Sequence, residues 1–148
     1  MAQVLIIVVV ALLATGVALF LRRRDGDAPE QGPSWAAPVQ LDRADFDRPE
    51  APWLVTVFSS ATCLSCQGTW AKAQLLASDA VAVQEVEAVE RKDLHDRYHV
   101  EAVPMVLVAD AEGVVQRSFV GPPTATDLWA ALAELREPGS VPPSCTHD

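Results

Sequence analysis

The chain has 148 residues, half of them apolar, with a formal net charge of −9 and a pI near 4.6. That length holds one domain of ordinary size plus extensions, and that apolar share is enough for a packed core. The acidic balance excludes a nucleic-acid binder, which needs a basic face, and three cysteines are too few for a disulfide-stapled scaffold.

Residues 4–21, VLIIVVVALLATGVALFL, are nearly all apolar. A helix of that length spans roughly 27 Å, about the thickness of a bilayer core. It has no polar face, so it does not read as a buried core helix. Met1, Ala2 and Gln3 supply none of the positive charge that leads a cleaved signal peptide. Residues 1–24 are therefore expected to form a single transmembrane anchor, flanked by Arg22, Arg23 and Arg24. Positive residues stay on the cytoplasmic side, so the expectation is a single-pass cell-membrane protein whose folded domain faces the cytoplasm. A CxxC pair in that compartment would cycle rather than stay oxidised. Residues 25–38 read as a linker, with Gly26, Pro29, Gly32, Pro33 and Pro38 among polar residues.

Residues 39–137 read as the folded domain. Val39, Gln40 and Leu41 suit a short strand. Asp42 suits the cap of a helical turn carrying Phe46. Pro49 and Pro52 break the chain before the apolar run Trp53-Leu54-Val55-Thr56-Val57-Phe58, which has strand length and β-branched and aromatic residues. Trp70, Ala73, Leu76 and Ala77 then recur at helical spacing. Ser78 and Asp79 suit a turn, residues 81–86 a strand, and residues 91–99 a short helix with Leu94 and Tyr98 four apart. Residues 105–109 suit a buried strand, residues 110–113 a Gly-containing hairpin loop, and residues 114–120 the return strand. Thr124 suits the cap of a last helix with Leu128, Trp129, Leu132 and Leu135 on one face. Pro138 and Gly139 stop that helix, and residues 138–148 read as a flexible tail. The order is β-α-β-α-β-α-β-β-α, with the first three strands expected to pair in parallel and a closing hairpin to add an antiparallel edge. Trp53, Trp70 and Trp129 are expected in the core, and His95 and His99 as surface or packing residues.

The chemistry lies in Cys63-Leu64-Ser65-Cys66, where a strand hands over to a helix. A helix start has unpaired N–H groups and partial positive charge, which stabilise a thiolate and draw a cysteine pKa below about 8.5. Cys63 falls at that start, and Cys66 lies one turn deeper on the same face.

This element order, with a CxxC opening the helix and Val103-Pro104 before the hairpin, resembles the thioredoxin family over residues 39–137. The resemblance implies an α/β thioredoxin-like fold, a mixed central sheet flanked by helices. It implies that Cys63 is the attacking and Cys66 the resolving cysteine. It also implies that Pro104, preceded by Val103, is the cis-proline facing the disulfide, whose backbone pairs with substrate, and that Gly121 is the glycine after the last strand. Thr62 and Leu64, beside Cys63, complete the expected substrate-binding set with Val103 and Pro104. Four positions depart from the family pattern. Thr62 replaces a Trp, and Leu64-Ser65 replaces Gly-Pro. Val57 replaces a buried Asp that assists proton transfer to the resolving thiol. A third-strand Lys becomes acidic, around Glu85 or Glu87. Glu85 is the candidate replacement proton acceptor, although a strand carboxylate is more often solvated.

The function implied is a membrane-tethered thiol–disulfide oxidoreductase acting on protein thiols and disulfides, with an unknown electron donor or acceptor and no cofactor. The rivals are a redox-inactive binding module using the Pro104 groove, and a zinc site built from Cys63, Cys66, Cys145 and His147. The Cys-x-His spacing of that second pair is not a usual zinc spacing, so no metal is expected. Ser60 lies three before Cys63, as in peroxiredoxins, but Thr56 stands where they carry Pro. Cys145 is expected to be an idle tail thiol.

Overall fold

The computed structural model describes residues 36–141. The expected anchor at residues 4–21, most of the linker, and Cys145 and His147 lie outside the described residues. Among the described residues no helix is long and apolar enough to cross a membrane.

Four strands form one sheet: β1 (Trp53–Ser59), β2 (Val81–Glu87), β3 (Met105–Ala109) and β4 (Val115–Val120), in the order β2-β1-β3-β4. β1 pairs in parallel with β2, in register Val57 to Glu85. β3 runs antiparallel to both β1 and β4. β1 is central, and Leu54 through Ser59 are all buried. That explains a continuous apolar run rather than an alternating one, since both faces of a central strand are covered.

Alternate residues of the strands go to opposite faces. On one face Leu54, Phe58, Ala82, Val86, Met105 and Leu107 pack with Leu41, Phe46, Leu94 and Tyr98. Leu94 belongs to α2 (Lys92–Arg97), and Tyr98 caps its C-terminus. On the other face Val55, Val57, Val81, Val106 and Val108 pack with Ala73, Leu76, Leu128 and Leu132. Ala73 ends α1 (Leu64–Ala73), which continues as a single 3₁₀ turn, Gln74–Leu76. Leu128 and Leu132 belong to α3 (Ala125–Arg136). Each fully buried leucine stabilises the fold by about 1.5–3 kcal/mol. Thr124 and Asp127 close a capping box at the start of α3, which satisfies two of its orphan donors.

Three expectations need correction. Val39, Gln40 and Leu41 form no strand of the sheet. Gln40 makes an isolated antiparallel bridge to Val114, the Leu41 amide donates to Gly113 O, and the Val115 amide donates to Val39 O. The segment is latched to the β3–β4 hairpin, so parallel pairing holds for β1 and β2 alone. The expected helical turn is a 3₁₀ turn, Arg43–Asp45, capped by Asp42 as expected. Trp129 is 51 % exposed; Leu128 and Leu132 already fill the inward stripe of α3, whereas Trp53 and Trp70 do pack against the core.

Candidate active site

β1, β2 and β4 point the same way and β3 points back, so the C-terminal ends of the first three and the N-terminal end of β3 share one end of the sheet. Cys63 follows β1 there, Val89 follows β2, Pro104 precedes β3, and Val120 ends β4. The Val103–Pro104 peptide bond is cis. Gly121, at φ +96°, donates its amide to Pro104 O at 2.8 Å.

Cys63 and Cys66 are joined by a disulfide, with Cα atoms 5.2 Å apart. The backbone explains their unequal exposure. Cys63 is the N-cap of α1, in extended conformation and half-buried. Cys66 is in the first turn, on the inward face with Thr69 and Ala73, and 1 % exposed. The Cys63 sulfur takes the role of a capping oxygen, accepting the Cys66 amide at 3.2 Å. Ser65 Oγ lies 3.3 Å from the same sulfur. No acidic residue sits in the first turn of α1 to oppose the helix dipole.

The loop between β1 and Cys63 is fixed from two directions. The Cys63 amide donates to Ser60 O at 3.0 Å. The Ala61 amide donates to Glu87 Oε1 at 3.0 Å, while the Val89 and Glu90 amides donate to Glu87 Oε2 at 2.7 and 3.0 Å. Glu90, Ala61 and Val89 amides together hold the Glu87 carboxyl below the usual glutamate range. This clamp is not visible in the sequence, because Ala61 lies on another element. Ser60 and Thr62 hydroxyls lie 3.2 Å apart.

The remaining expected residues divide by exposure. Leu64 is 83 % exposed, Thr62 is exposed, Val103 is half-buried and Pro104 is buried. Val89, absent from the expected set, is 81 % exposed at the same end of the sheet, and Val120 is partly exposed there. Glu85 lies opposite Val57 on β2 and accepts the buried Ser59 hydroxyl at 2.7 Å. His95 is buried, 2.9 Å from Val86 O through Nε2 and edge-on to Phe58; His99 is exposed at φ 52°. Among the described residues no cluster of three or more His, Cys, Asp or Glu could hold a metal. A hollow of about 520 Å³ lined by Gln40, Arg43, Arg97 and Tyr98 contains none of the expected site residues.

No protein-family model matches the chain, and no curated protein matches it. Solved structures do. A thioredoxin variant from Halobacterium salinarum is 24 % identical, with a TM-score of 0.53, over 72 % of this chain and 98 % of that one. The thioredoxin Deadhead of Drosophila melanogaster is 21 % identical, with a TM-score of 0.52, over 59 % and 84 %. Fasciola hepatica thioredoxin is 21 % identical, with a TM-score of 0.50, over 57 % and 81 %. With a cis-proline at the start of β3 and a CxxC disulfide at the mouth of α1, the chain has a thioredoxin-like fold.

Proposed function

We propose that this chain is a membrane-tethered thiol–disulfide oxidoreductase that exchanges disulfides with protein substrates through Cys63 and Cys66. One observation carries the reading: a half-buried cysteine at a helix N-cap is disulfide-bonded to a buried cysteine one turn in. Such a pair suits a reactive outer thiol and a protected inner one.

In the reducing direction, the Cys63 thiolate attacks one sulfur of a substrate disulfide. A mixed disulfide forms and one substrate thiolate leaves. Cys66 then loses its proton and attacks Cys63 Sγ, which closes the Cys63–Cys66 bond and expels the second substrate thiolate. Two electrons pass from the domain to the substrate, and two protons balance them. The direction in the cell depends on the reduction potential; CxxC oxidoreductases range from about −270 to −120 mV.

Thr62, Leu64, Val103 and Pro104 are the substrate-facing set, and Val89 extends it. Exposed Leu64 and Val89 at one end of the sheet suit an apolar segment flanking the substrate disulfide. Residues 4–21 supply the anchor in this reading, and Arg22, Arg23 and Arg24 keep the domain on the cytoplasmic side.

The test is mixed-disulfide trapping with the full chain. Cys66→Ser should accumulate a covalent complex with insulin, sensitive to reductant, and Cys63→Ser should form none. Wild-type protein should reduce insulin with dithiothreitol as donor. No trapping and no turnover would leave the binding module as the better reading.

A further inference from the structure

Ser65 is the second residue of α1, between Leu64 and Cys66. Its side chain is exposed, yet its hydroxyl oxygen lies 3.3 Å from Cys63 Sγ. Its backbone is fixed from below, because Thr69 Oγ1 donates to Ser65 O at 2.9 Å. The Cys66 amide reaches the same sulfur at 3.2 Å. Two donors therefore converge on one sulfur atom.

A disulfide sulfur is a weak acceptor, whereas a thiolate accepts strongly. Both contacts gain strength once the S–S bond is cut and Cys63 carries the charge. The other hydroxyls of the loop are placed differently: Ser60 and Thr62 lie within hydrogen-bond distance of each other. The first turn of α1 carries no charged side chain, and Lys72, near its far end, donates to Pro123 O. The titratable groups at this end of the sheet include Cys66 on α1, Glu85 and Glu87 on β2, Glu90 and Arg91 after β2, and Glu101 before the cis-proline. Glu85 accepts from Ser59, and Glu87 is bound to three amides.

We propose that Ser65 is a catalytic residue that donates its hydroxyl to the Cys63 thiolate and sets the acidity of that thiol. The proposal rests on the oxidoreductase reading for its purpose, but not for its measurement. By stabilising the thiolate, Ser65 also makes Cys63 a better leaving group in the oxidising direction, when a second substrate thiolate attacks the substrate sulfur of the mixed disulfide and expels Cys63.

The test uses the full chain carrying Cys66→Ser and Cys145→Ser, which leaves Cys63 as the sole thiol. The ultraviolet absorbance of the Cys63 thiolate is titrated against pH with Ser65, with Ser65→Ala and with Ser65→Thr. Ser65→Ala should raise the midpoint by about 0.5–1 pH unit, a roughly three- to tenfold loss of thiolate below both midpoints. Ser65→Thr, which keeps the hydroxyl, should restore most of it. An unchanged midpoint in Ser65→Ala, or equal shifts in the Ala and Thr variants, would overturn the assignment. Circular dichroism of each variant separates a shifted thiol from a damaged fold. If wild type fails to reduce insulin while Ser65→Ala still shifts the midpoint, the oxidoreductase reading fails and the hydrogen bond stands.

Discussion

Glu87, the last residue of β2, holds the amide of Ala61, two residues before Cys63. Its second oxygen holds Val89 and Glu90, so one carboxylate fixes the loop under the reactive sulfur and the loop carrying Val89. Glu87→Gln should speed hydrogen exchange at the Ala61 amide and lower the thermal midpoint at neutral pH. The folded carboxyl is held below its ordinary value of 4.5, first by the Glu90 amide and then by Ala61 and Val89. Its contribution is therefore complete above pH 4.5 and fades as pH falls through the folded value. The gap in thermal midpoint between wild type and Glu87→Gln should narrow below pH 4.5; a gap constant with pH would mean that the charge does not matter.

Leu64 and Val89 are the two most exposed large apolar side chains at the sheet end that holds Cys63. Each is expected to be covered by a protein substrate. Leu64→Ser and Val89→Ser should each raise KM for a protein disulfide by about three- to tenfold, the loss expected for part of one apolar side chain. Reaction of Cys63 with a small aromatic disulfide should change far less. Equal losses with both substrates would place the effect on the sulfur rather than on docking.

Tyr98 is the sole tyrosine of the chain. Its hydroxyl donates to Asp45 and accepts the Asp42 amide at 2.9 Å. Burial, then the bond to Asp45, pushes its pKa up to about 12. Because the folded value lies above the ordinary 10.0, the stabilisation is complete below pH 10.0 and is lost as pH climbs toward 12. Ultraviolet titration of the native protein should show no phenolate near pH 10, and the unfolded chain should titrate there. Tyr98→Phe should cost about 1–3 kcal/mol in urea unfolding, since the Asp42 amide loses its acceptor.

Gly113 adopts φ +82°, and a Cβ there would meet Leu41 O at 2.0 Å. This close approach lets the hairpin accept the latch at Leu41. Gly113→Ala should destabilise the fold by at least about 2 kcal/mol. A near-neutral result in urea unfolding would mean that the latch contributes little.

The strand–CxxC–helix unit was legible because two long-range facts leave local traces. A central strand is covered on both faces, and residues 54–58 are apolar but for Thr56, while an inward helical face recurs every three or four residues, as Trp70, Ala73 and Leu76 do at steps of three. Residues 39–41 were too few to tell a strand from a segment lying beside a hairpin. Helical spacing groups Trp129 with Leu128, Leu132 and Leu135 on one face, but it follows Leu128 by about 100° and so falls off the stripe set by Leu128 and Leu132. The Glu87 clamp and the Ser59–Glu85 bond join residues 26 positions apart, so no local pattern announces them. Ser65 was legible as a departure from the family's dipeptide, but its contact with Cys63 was not.

The most direct measurement is the redox equilibrium of the Cys63–Cys66 pair in the full chain with Cys145→Ser, followed across glutathione buffers. The account predicts one two-electron transition, with a tenfold change in ratio for every ~30 mV, that disappears in Cys63→Ser and in Cys66→Ser. A pair that stays reduced or stays oxidised across the whole range from about −300 to −120 mV would contradict it.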